Sequence, residues 1–309
     1  SSFIIHHFPS PMFRHLLRGW FQRAAREKLR EKVVEAARHK VDEATCGDVE
    51  AEQGAGQRAP CDVGVVFALG IESGGLEDLL EKAVTIRGHG FVARRGRLHG
   101  RNVVVIRSGP GRQAAARATE ALIDGHHSEW IISSGFAGGL SAELARHDIL
   151  MADTIVECGG DRLSIDLRVD PESLRRTPGV HVGPLLTGDR VVRLPGEKRE
   201  LGKKHQALAV DMETYAVADV CRRRQSRFLA VRVIGDAVDE ELAPEVRGLL
   251  KQQSPAAKLG AVLGAVWRRP SSVKDMVRLR ENALVASDRL AKFLAATIEQ
   301  LVPLPPAPR

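Results

Sequence analysis

The sequence is poor in the residues that build disulfide or zinc scaffolds. Its four cysteines, Cys46, Cys61, Cys158 and Cys221, stand far apart, with no CxxC pair and no Cys/His ligand spacing. Neither a metal site nor a disulfide frame is expected, and reduced thiols in a cytoplasmic protein are the simplest account. Aromatic residues make up only 4% of the chain, and Tyr215 is the single tyrosine. That scarcity argues against base-stacking platforms, so no nucleic acid partner is expected. There is also no run of about eighteen uncharged apolar residues, so no membrane-spanning helix is expected.

What is abundant is positive charge: 46 Lys and Arg stand against 39 Asp and Glu, a net charge of +7. This excess suits either an anionic partner or an ordinary solvated surface. Much of it lies in residues 1–44, which read from Phe13 on as one amphipathic helix. Phe13, Leu16, Leu17, Trp20, Phe21, Ala24, Ala25, Leu29, Val33, Val34, Ala37 and Val41 form its apolar stripe. Arg14, Arg18, Arg23, Arg26 and Lys28 stand on its other faces. Residues 13–41 either make a peripheral membrane contact or pack on the main domain or a second subunit, and the Ala/Val-rich later half favours packing. Residues 45–60 read as a Gly/Glu/Gln/Ala linker, and 303–309 as a proline-rich, disordered tail.

Between them, residues 61–302 read as one catalytic-sized α/β domain. Four short apolar runs suit buried strands: Val63–Phe67, Val103–Ile106, Trp130–Ile132 and Phe228–Ile234. Helical spacing occupies Ala114–Ile123 and Thr214–Arg223, and a hairpin near Arg94–Asn102 predicts a mixed sheet. A helix is expected over 256–267, stopped by Pro270. A second is expected from Val273 to Leu301, opened by a Ser272/Asp275 capping box. The fold class is therefore a mixed central sheet flanked by helices, with extra helices at both ends.

Two glycine-rich stretches stand at strand ends. Ser108-Gly109-Pro110-Gly111-Arg112 lies between a strand and a helix. Its N–H groups and the helix dipole there suit a phosphate or a sugar hydroxyl, or the stretch is simply a tight turn. Ser133 to Leu140, which contains Phe136, Ala137 and Gly138, directly follows the strand ending at Ile132; its small residues permit close approach of a ligand, or the stretch is simply a turn. It stands where open α/β sheets bind ligands.

Three acids stand beside these stretches. Glu213 follows Val210-Asp211-Met212 at a helix start, Asp236 ends the strand 228–234, and Glu72 follows the first strand. Breaking a glycosidic bond passes through an oxocarbenium-like state, and carboxylates can hold the ribose hydroxyls, protonate the leaving base and activate water. Each also has a structural reading: Glu213 as a helix cap, Asp236 as half of an ion pair.

Val63–Leu69, Ser108–Arg112, Ser134–Leu140, Thr187-Gly188-Asp189, Val210–Glu213 and Ile234–Asp236 occur in an order that resembles the purine nucleoside phosphorylase/uridine phosphorylase family. Within it they are most similar to the 5′-methylthioadenosine/S-adenosylhomocysteine nucleosidases, over about residues 62–240. The resemblance implies a purine-type nucleoside as substrate. Glu213 would bind the ribose 2′- and 3′-hydroxyls, with Met212 against the sugar. Asp236 would protonate N7, and Glu72 would activate water. Gly109, Gly111 and Arg112 would line the sugar or phosphate side. Phe136, Ala137, Gly138, Val191 and Val192 would surround the base. The pocket differs from the family pattern at Phe136, which replaces a small polar residue, and at Val191, which replaces an aromatic. Gly70 and Ile71 stand where acids usually precede the catalytic glutamate.

The family divides by nucleophile. Glu72 favours water; Arg107 and Arg112 are the candidates for holding phosphate, which would be a co-substrate rather than a cofactor. The resemblance also implies a homo-oligomer. Two other readings stand beside nucleoside cleavage: an enzyme on a lipid-linked nucleoside, and a non-catalytic ligand-binding or interaction domain.

Overall fold

The computed structural model describes residues 61–88, 91–168, 174–242 and 272–302. The expected N-terminal helix and linker, the helix over 256–267 and the tail 303–309 lie outside these residues. The family of elements begins with β1 (Val63–Phe67), α1 (Gly70–Asp78), β2 (Glu81–Gly88), β3 (Phe91–Leu98) and β4 (Arg101–Arg107). Then follow α2 (Arg112–Glu120), a π-helical turn (Ala121–Gly125), β5 (Trp130–Gly139), β6 (Ile149–Glu157) and β7 (Arg162–Ser164). The chain continues through β8 (Val180–Thr187), α3 (Pro195–His205), β9 (Ala209–Asp211), α4 (Thr214–Arg224), β10 (Arg227–Asp236) and α5 (Ser272–Leu301).

The strands join in one mixed sheet. β5, β10, β6, β8 and β9 pair in a closed circuit, because β9 returns to β5. β1, β4, β3 and β2 extend from the same β5 in that order. One edge of β5 therefore changes partner along its length. It pairs with β1 over Trp130–Ser133 and with β9 only at Gly138 and Gly139. Between them the edge over 134–137 has no strand on that side among the described residues. Such a divergence is where α/β sheets place ligands.

The expected strands and the two helical spans are observed, and Arg94–Asn102 does form the β3–β4 hairpin. One of the two readings of the second glycine-rich stretch is excluded. The Ser133–Leu140 stretch is not a turn: β5 runs through it to Gly139, held along its other edge by β10 as far as the Gly138–Asp236 pair.

Consecutive strand residues face opposite layers, which explains the uninterrupted apolar runs. Val63, Val65, Phe67, Val103 and Val105 pack beneath Leu76 of α1 and Leu290, Leu294 and Ile298 of α5. Val66, Val104, Ile106 and Ile131 face Ala115, Ala118 and Leu122 near α2 and Val217 and Cys221 of α4. Helix α5 also backs α1 directly: Gly75 N–H donates to Ser287 Oγ at 3.1 Å, and that hydroxyl donates to Glu72 O at 3.2 Å. A Cβ on Gly75 would stand 2.7 Å from Ser287 O, so glycine sets how closely the two helices approach.

Candidate active site

Glu72 lies in the first turn of α1, directly behind the gap in the β5 edge. Its Oε2 accepts the Leu69 N–H at 2.8 Å, which caps the helix from within, and its Oε1 accepts the Phe136 N–H at 3.0 Å. The second bond uses a donor that β5 cannot pair in the gap. Burial pushes the Glu72 carboxyl up, opposed by these two N–H bonds and by nearby Arg232. A carboxylate has about four lone-pair sites, so Glu72 retains capacity to accept a hydrogen bond from a water.

Glu213 enters from the opposite layer, at the start of α4. It does not cap that helix. Asp211 does so: its Oδ2 accepts the Thr214 N–H at 2.9 Å and the Glu213 N–H at 3.4 Å. Relieved of that task, Glu213 turns to the glycine loop, where Gly111 N–H donates to its Oε1 at 2.8 Å. Gly109 and Gly111 have φ of +81° and +102°, which disfavours side chains there. The N–H end of α2 thus holds a protein carboxylate rather than standing ready for phosphate. The Glu213 carboxyl is pushed up to about 7, by burial first and by the Asp211 charge second.

Beneath both acids lies a buried network absent from the expected site. Arg232, 3% exposed, donates to Asp211 Oδ2 at 2.7 Å, to Ser133 Oγ at 2.8 Å and to Thr214 Oγ1 at 2.5 Å. Thr187 Oγ1 donates to Asp211 Oδ1 at 2.8 Å and accepts the Tyr215 N–H at 3.0 Å. The Thr187-Gly188-Asp189 motif therefore has two tasks, because Asp189 ion-pairs with Arg112 at 2.9 Å. Arg112 also binds Glu157 and reaches Thr187 O at 3.3 Å. Arg107 is held by Glu77 at 3.2 Å. Both arginines proposed for phosphate are thus engaged by carboxylates.

Glu72, Glu213, Arg232, Ser134 and Phe136 line one small cavity. The volume open to the centre of a water-sized sphere is about 10 Å³, close to the minimum needed for one water. Ser134 is 2% exposed and its hydroxyl has no hydrogen-bond partner among the described residues. Such a group is normally satisfied by water or a ligand.

Asp236 stands farther along the sheet. It pairs in register with Gly138, two residues beyond Phe136 and so about 7 Å away along β5. A Cβ on Gly138 would lie 3.3 Å from Asp236 Oδ2, so this glycine admits the carboxylate. The ion-pair reading of Asp236 is observed: Lys198 Nζ of α3 lies 2.5 Å from Oδ2. Burial raises the Asp236 carboxyl and Lys198 pulls it back. The remaining expected residues divide. Ala137 and Val192 are buried in apolar clusters, where their side chains act as core. Met212 and Val191 are half-buried.

Arg232 carried a sequence signal, a charge inside the apolar run 228–234. Lys198 carried none, since Glu197-Lys198-Arg199-Glu200 reads as a solvated face.

The chain is similar to several known proteins. Residues 62–258 match the family model described as the phosphorylase superfamily. A 5′-methylthioadenosine/S-adenosylhomocysteine nucleosidase from Colwellia psychrerythraea is 26% identical over 205 residues, 58% of this chain and 84% of that protein. Among solved structures, the S-adenosylhomocysteine nucleosidase of Streptococcus pyogenes, in complex with 5-methylthiotubericidin, superposes with a TM-score of 0.61. It is 19% identical, covering 80% of this chain and all (100%) of that one. The Neisseria meningitidis nucleosidase with methylthio-immucillin-A gives 0.59 at 23% identity, over 77% of this chain and 99% of the other. A futalosine hydrolase mutant of Helicobacter pylori gives 0.58 at 18% identity, over 78% and 99%. These likenesses establish the fold, and the match over more than half of the chain establishes the family: the chain belongs to the phosphorylase superfamily.

Proposed function

We propose that the chain hydrolyses the N-glycosidic bond of a purine nucleoside, with water rather than phosphate as nucleophile. The observation that carries this reading is the cavity beside Glu72, which has room for about one water and is walled by a carboxylate, a guanidinium and a serine hydroxyl without a partner among the described residues. Glu72, Asp211 and Glu213 surround the single guanidinium of Arg232. That balance repels a phosphate dianion and favours a sugar carrying positive charge.

In this reading the ribose lies over Glu213, whose carboxylate takes the sugar hydroxyls. As the C1′–N9 bond breaks, its electron pair passes to the purine, and Asp236 supplies a proton at N7. Glu72 takes a proton from the water as the water oxygen bonds C1′. The products are the free base and the reducing sugar. The Colwellia relative supports methylthioadenosine and S-adenosylhomocysteine as the first substrates to try. The Helicobacter structure adds futalosine.

The test is release of free base from these nucleosides, followed chromatographically with and without phosphate, with Asp236→Asn as control. Release without phosphate that is lost in the variant is expected. Release only with phosphate would make the chain a phosphorylase. No release from any of them would favour a binding role.

A further inference from the structure

We propose that Lys198 is the positioning residue of the leaving-group acid: it ties one oxygen of Asp236 and the turn that follows, and leaves the other oxygen to meet the base. This rests on the role proposed for Asp236 above.

The geometry is that of a clamp. The Lys198 side chain is 0% exposed. Its ammonium donates to Ala237 O and Glu240 O at 2.7 Å each, and lies 2.5 Å from Asp236 Oδ2. An ammonium has three protons, and here three acceptors from one short segment, 236–240, surround it. The two carbonyls take the well-directed bonds. Oδ2 is buried without an aligned donor, so its contact with Lys198 is chiefly an ion pair. With Oδ2 buried against Lys198 and the Asp236 side chain keeping 10% of its exposure, Oδ1 is the oxygen left to meet a base.

A buried lysine that served only to hold two carbonyls would carry a large desolvation cost with little return. Beside Asp236 its charge has a chemical use. The charged groups facing Asp236 are Lys198 from α3, Arg146 from the segment between β5 and β6, and Glu240 from the segment after β10. Arg146 and Glu240 pair with each other at 2.8 Å and largely cancel. Lys198 is left as the charge that governs the carboxyl. It opposes burial, making Asp236 a stronger acid that gives up its proton more readily. A general acid works only when protonated, so activity falls as pH rises through its titration. Removing the cation moves that fall to higher pH.

The test follows the Asp236 carboxyl directly, by carbon-13 NMR of protein labelled at the aspartate carboxyl, with the resonance assigned by its loss in Asp236→Asn. In Lys198→Met the titration midpoint is expected to rise by about one to three pH units. The alkaline fall of kcat/KM should follow it, and Lys198→Arg should restore both. Lys198→Gln, which keeps amide donors for the two carbonyls, serves if the methionine variant does not fold. A midpoint unchanged in the neutral variant overturns the proposal, whether or not any nucleoside is cleaved. A shifted midpoint in a protein whose wild type releases no base would leave the hold of Lys198 on Asp236 standing and sink the nucleosidase reading alone.

Discussion

A side chain on Gly135 would collide with Glu72: a Cβ built there stands 2.9 Å from Glu72 Oε1 and 3.1 Å from the carboxyl carbon. The residue also has φ of +150°. Glycine at this point of β5 is what lets the carboxylate of α1 lie in the gap and take the Phe136 N–H. Gly135→Ala should therefore displace the carboxylate while the rest of the sheet keeps its pairing with β10. Misplacement of a catalytic group by about 1 Å costs on the order of a hundredfold in rate, so kcat is expected to fall by about that factor with KM less changed. A crystal structure and kinetics of the variant check both halves. Full activity with an unmoved Glu72 would remove the steric argument.

Glu213 gives a stability prediction with a definite sign. Its carboxyl lies near 7 in the folded chain against a reference of 4.5, raised by burial first and by Asp211 second. The folded state holds this proton more tightly than the unfolded state. Its contribution to stability is therefore present below about 4.5 and is lost as pH rises through 7. The difference is on the order of 3 kcal/mol. Glu213→Gln keeps an acceptor for the Gly111 N–H and removes the charge. It should raise the melting temperature at pH about 8 and change it little at pH about 5, while abolishing turnover. Equal effects at both pH values would count against the raised carboxyl.

How far this site could be read in advance depended on what each residue needs from distant chain. Val63–Phe67, Val103–Ile106 and the strand at 228–234 announce themselves because both faces are covered, so every residue but Arg232 is apolar. β8 does not, since Gly183 and Pro184 interrupt it. Its partner β6 skips a residue at Asp153, between Ala152 and Thr154, and the proline is accommodated opposite that irregularity. The acids Glu72, Glu213 and Asp236 were legible as motifs at element ends. Their surroundings were less so: Lys198, Ser134 and Arg232 take their meaning from Asp236, Glu72 and Asp211, each far from them in sequence, and only Arg232 stood out, as a charge in an apolar run.

Arg101 is expected to hold the C-terminal end of α5. Its guanidinium donates to Val302 O at 2.7 Å and Glu299 O at 2.9 Å, carbonyls that a helix end leaves unpaired. A third bond to His99 O at 2.6 Å anchors it in the β3–β4 turn. Hydrogen bonds from a charged group contribute about 1.5–3 kcal/mol each, shared here within one cluster. Arg101→Ala should lower global stability by a few kcal/mol and speed amide exchange over residues 295–302 first. Uniform exchange across α5 would show that the packing of Leu290, Leu294 and Ile298 holds the end unaided.

The Asp211–Arg232 pair should behave as a unit. Both side chains are almost wholly buried, at 2% and 3% exposure. Removing one partner leaves an uncompensated buried charge, at a cost of about 3–5 kcal/mol. Arg232→Met and Asp211→Leu should each destabilise the chain strongly by chemical denaturation. The double variant should recover most of the loss, since an apolar pair of similar volume often replaces a buried ion pair without penalty. Activity should not return with stability, because Arg232 also walls the cavity beside Glu72 and moderates the charge of both acids. A double variant that is stable and inactive would separate the chemical use of this guanidinium from its structural one. A double variant that is stable and fully active would assign Arg232 to the fold alone.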